Sequence, residues 1–166
     1  MNTKNRFALG AVLVSAALSS GLSFADGRVL TGAYTLADAC QISAGFFGNR
    51  VLPQGQIIVT EKVPVVSDDA GRTEFPGIIF QSDADFRPVL SLAIGKVAFF
   101  QFGPEPVQEG KYADNGAKFV EQYTSAGASS ADGEVVIEKT SRGLTVSSVD
   151  PASGKVTALC SLSSTR

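Results

Sequence analysis

The chain has no histidine and no tryptophan among its 166 residues, and only two cysteines and one methionine. Without imidazole, histidine-based nucleophilic triads, histidine-ligated zinc sites and histidine general bases are all excluded. No Gly-x-Ser-x-Gly elbow occurs. Gly95-Lys96, Gly110-Lys111 and Gly154-Lys155 are not followed by Ser or Thr, so none of them is a phosphate-binding loop. Asp83-x-Asp85 is followed by Phe86 and Arg87 rather than by the further oxygen ligands that a calcium loop requires. The expectation is therefore a protein that is not an enzyme, with no cofactor and no metal.

Clustered positive charge is also missing. Fourteen Lys and Arg stand against 16 Asp and Glu, for a net charge of −2, and two of the basic residues fall in the N-terminal leader described next. An acidic chain of this kind opposes binding to phosphate-rich partners, so nucleic acid is not expected among them.

The first residues carry Lys4 and Arg6, then an apolar run from Phe7 to Leu18, then Ser23-Phe24-Ala25. This is the charged, apolar and small-residue order of a secretory signal peptide, with cleavage expected before Asp26. No later run approaches the ~20 apolar residues of a membrane-crossing helix. All but one of the strand-like runs are shorter than the ~9 to 11 residues of membrane barrel strands. Residues 1–25 thus read as the leader and 26–166 as one exported domain that does not span the membrane. Its location is expected to be periplasmic or extracellular.

In an oxidising compartment Cys40 and Cys160 are expected to pair, tying the first part of the domain to the last.

What the sequence does contain is short stretches of alternating apolar and polar residues, separated by Gly, Pro, Asp and Asn, the pattern of antiparallel strands. In Gln56 to Val63, Ile57 and Val59 share one face while Thr60 points the other way. Comparable runs are Val29 to Leu36, Thr73 to Gln81, Pro88 to Ile94, Lys96 to Phe102, Lys118 to Thr124, Glu134 to Thr140, Leu144 to Val149 and Lys155 to Leu162. The fold class is all-β, eight or nine short strands in an antiparallel up-and-down barrel, with a two-sheet sandwich as the alternative. In a meander barrel the first and last strands are neighbours, where a Cys40–Cys160 bridge would lie. Thr35 to Ser43 also fits one short helix, with Thr35 as its cap. Gly32-Ala33-Tyr34 resembles the Gly-x-aromatic start of lipocalin-type barrels, a likeness of three residues that assigns no family.

Two functional readings follow. A barrel of this size can hold a small apolar ligand, with Tyr34, Phe75, Ile79, Phe100, Phe102 and Tyr123 as candidate lining. Alternatively, a long acidic connection, 103–116, presents Glu105, Glu109, Tyr112 and Asp114 to a partner protein of the cell envelope as an inhibitor or adaptor would. Gly45-Phe46-Phe47-Gly48 reads as a plug at one barrel end.

Overall fold

The computed structural model describes residues 27–44, 48–62, 65–68, 71–74, 76–98 and 106–165. The leader, Phe46 and Phe47, Phe75, Phe100, Phe102 and Glu105 lie outside the described residues.

A 3-10 turn, Gly27–Leu30, leads into β1 (Gly32–Leu36). A hairpin follows, β2 (Cys40–Ser43) and β3 (Asn49–Leu52), then β4 (Gly55–Lys62). A second hairpin, β5 (Val65–Asp68) and β6 (Gly71–Glu74), precedes β7 (Gly77–Ser82), β8 (Pro88–Ala93) and β9 (Gly95–Ala98). The chain ends in a meander of β10 (Val107–Ala113), β11 (Lys118–Thr124), β12 (Gly133–Lys139), β13 (Gly143–Asp150) and β14 (Lys155–Ser164). Every strand pairing is antiparallel. Ten strands form one sheet in the order β8-β7-β4-β1-β14-β13-β12-β11-β10-β9, and the two hairpins form small sheets of their own. Among the described residues no helix is long and apolar enough to cross a membrane.

The all-β expectation holds, and so does the adjacency of first and last strands: Tyr34 pairs with Ser164 and Leu36 with Leu162. Several details differ. Thr35 to Ser43 is not a helix but the end of β1, a bend and β2. Period two wins there because Ile42 must enter the core while Gln41 stays exposed. The run from Thr73 to Gln81 is divided at Pro76 between β6 and β7. The supposed loop 103–116 is, over its described part, strand β10 followed by a 3-10 turn, Asp114–Gly116.

Alternation places one face of the large sheet inward. Tyr34 and Leu36 of β1, Ile57 and Val59 of β4, and Ile78 and Phe80 of β7 belong to one contiguous core. Leu90 and Leu92, Phe119, Val135 and Ile137, Leu144 and Val146, and Cys160 and Leu162 complete the circuit. Because residues from both halves of the strand order share this core, the sheet wraps around it.

The two strands that end the order, β8 and β9, are joined through Ile94 alone, yet no ladder between them is found and the barrel is not closed by hydrogen bonds. The edge of β8 instead meets the inner face of β10 and β11. A Cβ on Gly110 would lie 1.9 Å from the Ala93 carbonyl oxygen and 2.4 Å from the Phe119 ring. The Ala93 N–H, which a free edge would leave unpaired, donates to the carboxylate of Glu121. A buried edge amide needs such an acceptor.

Candidate functional site

The end of the sheet at which β1 finishes is roofed by the β2–β3 hairpin, anchored to β14 by the Cys40–Cys160 disulfide, with Cα atoms 5.8 Å apart. It is fastened again at Ser43, whose N–H donates to Ser148 Oγ at 2.9 Å while that hydroxyl donates to the Ser43 carbonyl at 3.1 Å. Beside this fastening, between the hairpin and the 125–132 connection, lies an open cleft of about 210 Å³. Ser43 of the hairpin, Tyr123, Asp132, Gly133 and Glu134, and Ser148, Val149, Asp150 and Thr157 of the last two strands line it.

Local hydrogen bonds fix these groups. The Tyr123 ring lies over Gly133, where a Cβ would come within 2.1 Å of its hydroxyl. Only glycine leaves room for that ring. Asp132 accepts from the Ser125 N–H, and its contacts with Ser125 hold its carboxyl below the usual range. Asp150 accepts from Ser153 Oγ at 2.8 Å and the Ala152 N–H at 2.9 Å, which likewise lower it. Glu134 accepts from Gln122 Nε2 at 2.9 Å. Thr157 Oγ1 donates to the Ser148 carbonyl at 3.2 Å. The cleft is therefore lined by two aspartates, hydroxyl residues and a tyrosine, with no Lys or Arg among its lining residues, while the Glu134 carboxylate, opposite Gln122, lies on the outer face of the sheet. Among the described residues no three His, Cys, Asp or Glu side chains are grouped so as to hold a metal ion.

The opposite end is closed by the 3-10 turn. Leu30 is fully buried and its carbonyl accepts from Tyr34 Oη at 2.9 Å; Lys139 Nζ donates to that Tyr34 hydroxyl at 2.9 Å while lying 4.9 Å from the ring centroid. Tyr34 is thus a packed lock and not an open wall. Nearby, Tyr112 Oη donates to Glu61 at 2.9 Å, and its ring meets Phe119 edge-on. Burial, with the Glu61 carboxylate adding to it, pushes the Tyr112 phenol up out of reach of ordinary pH.

Of the apolar-ligand candidates, Tyr34 and Tyr123 share the inner face but belong to opposite ends. Ile79 pairs with Thr60 and Ser91 on the other face of β7. These three do not line one space. Of the partner candidates, Glu109 points outward and binds Lys111 at 2.7 Å, which lowers its carboxyl, whereas Tyr112 points inward and Asp114 sits in the 3-10 turn. They do not form one surface.

Sequence reasoning missed Glu121 altogether. It is 1 % exposed, and burial pushes its carboxyl up to about 7 against the weaker downward pull of the Ala93 N–H. The unfolded chain titrates near 4.5, so folding takes up a proton between these values. The stabilising contribution is complete below about pH 4.5, is lost as pH rises to about 7, and is constant beyond. The span is about 3 kcal/mol. Glu121→Gln keeps an oxygen for Ala93 and should flatten this dependence in denaturant titrations at pH 4.5 and pH 8, gaining stability at the higher pH. An unchanged pH slope in the variant would remove Glu121 as its source.

No protein-family model, curated protein or solved structure matches this chain.

Proposed function

We propose that the chain is an exported, non-enzymatic binding protein of the cell envelope, a barrel sealed at the β8–β10 contact by packing. Its ligand is a small hydrophilic cation received in the cleft between the hairpin and the 125–132 connection. The observation that carries this reading is the cleft itself: about 210 Å³, anionic and hydroxyl-lined, and built on a hairpin fixed by a disulfide and two serine hydrogen bonds. Its volume is below the ~300 to 1,000 Å³ of drug-sized sites, which suits a single ring or a short polyamine.

Two considerations favour binding over catalysis. Asp132 and Asp150 are both held ionised by local donors, so neither carboxyl is poised to act as the acid of an acid–base pair. Glu121, the carboxyl with a raised pKa, is sealed in the core. An apolar ligand in the interior is less favoured, because Tyr34, Phe80 and Phe119 already fill the inward face at 1 % exposure or less.

Titrating the purified protein with spermidine and, separately, with an apolar fluorescent probe distinguishes the two. The cleft reading expects spermidine to perturb the amide resonances of Gly133 and Thr157, with Asp132→Asn weakening binding by about tenfold, equivalent to ~1.4 kcal/mol. Stoichiometric uptake of the apolar probe, with no response to the amine at millimolar concentration, would return the site to the interior.

A further inference from the structure

Phe86 combines two features that each cost a folded protein. Its backbone has φ 55°, in the left-handed region that a bulky side chain avoids, and its side chain is 66 % exposed, the most exposed of the large hydrophobic residues described. The turn that imposes this conformation is nevertheless tightly built. The Phe86 N–H donates to the Ser82 carbonyl at 2.9 Å, the Phe86 carbonyl accepts from Gln81 Nε2, and the Ser82 N–H donates to the Arg87 carbonyl at 3.1 Å. The turn is tied down further by the Asp83 N–H, which donates to the Gln56 carbonyl at 3.0 Å, and the Arg87 N–H, which donates to Asp85 Oδ1 at 3.2 Å. An aromatic ring is thereby held rigidly in solvent.

A strained residue persists when its conformation serves a purpose, and rigid aromatic anchors dominate protein interfaces because little entropy is lost when they dock. The charge beside the ring narrows the partner. Arg87 is already paired with Asp85 at 3.7 Å, which leaves Asp83 without an ion pair among the described residues, and Asp132 and Asp150 add negative charge at the same end of the sheet. Beside β8 lies β3, whose Val51 is a second exposed apolar side chain, 56 % exposed. We propose that the β7–β8 turn is a preformed docking knob whose Phe86 ring enters an apolar socket on a protein partner rimmed by Lys or Arg. An anionic lipid surface is disfavoured by the same acids. This surface goes beyond the small-molecule cleft and stands without it.

Two measurements test the knob. Phe86→Gly keeps both backbone hydrogen bonds of residue 86 and relieves the left-handed strain, so its melting temperature should rise by about 2 to 5 °C. A fall would show that the ring supports the fold and would overturn the proposal. A photoreactive aromatic placed at position 86 in producing cells, with Ser163 as the exposed control position, should give one discrete protein adduct at 86 only. That protein, purified, should bind the wild-type chain and lose about thirtyfold or more in affinity with Phe86→Gly, and about tenfold with Asp83→Lys. No adduct, adducts with lipid or with a second copy of this chain, or an affinity unchanged in Phe86→Gly would each overturn it.

Discussion

Reduction of the Cys40–Cys160 bond should lower the melting temperature by about 10 to 20 °C, the largest loss expected from any single covalent change in this protein. The bond joins residues 120 apart in sequence, and closing so long a loop in the unfolded chain restricts it by about 4 to 5 kcal/mol on the chain-entropy model. The folded state adds a local reason. Among the described residues strand β2 is laddered to β3 alone, so without the disulfide the roofing hairpin is held by the Ser43–Ser148 hydrogen bonds and by burial of Ile42 and Leu52. The hairpin should therefore open before the sheet does. Thermal melts of the wild type with and without reductant, beside Cys40→Ala/Cys160→Ala, measure the loss. Amide exchange at Ile42 should accelerate in the double variant while exchange at Ile137 stays slow. A variant that melts within two or three degrees of the oxidised protein would show that the hairpin needs no tether (~1 kcal/mol or less).

The parts of this fold legible in the sequence are those where one face of a strand is apolar and the other is not. β4 reveals itself through Ile57 and Val59 against Thr60, and the final meander through Leu144, Val146, Cys160 and Leu162 at alternate positions. Strand β10 was illegible for a physical reason. Its inward positions are Gln108, Gly110 and Tyr112, polar or absent side chains chosen to fit the β8 edge and Glu61 rather than to fill a core. Alternation carries no apolar signal when the inward side must be small. Ile79 misled in the opposite direction, since β7 is buried on both faces and residues 77–80 give no alternation from which to assign a side. The cleft was equally hidden. Asp132 and Asp150 read as turn residues in sequence, and they do serve turns locally while the fold brings them to one cleft with Tyr123. Phe86 stood in plain view beside Asp83-x-Asp85, but its exposure and its left-handed backbone belong to three dimensions.

Gly110→Ala should destabilise the protein by about 3 kcal/mol or more, a large share of the ~5 to 15 kcal/mol of a small domain. The methyl group it adds would sit 1.9 Å from the Ala93 carbonyl oxygen, and a backbone atom cannot swing aside as a side chain can. Relief requires β8 to lift from β10. That movement would separate the Ala93 N–H from Glu121, break their hydrogen bond and let water reach both. It would also loosen Leu90 and Leu92, both now at 2 % exposure or less. A control isolates the cause: Gly48 has φ 68° but open space around its Cβ position, so Gly48→Ala bears only the ~1 to 2 kcal/mol of left-handed backbone strain. Because Glu121 regains water once the seam opens, its carboxyl in Gly110→Ala should titrate near the ordinary value instead of about 7, and the variant should lose most of the stability difference between pH 4.5 and pH 8. Equilibrium denaturation of the two glycine variants at both pH values reads all three effects. If Gly110→Ala is no less stable than Gly48→Ala and keeps the wild-type pH slope, the β8 edge does not rest on β10, and the sheet is held together along some other line.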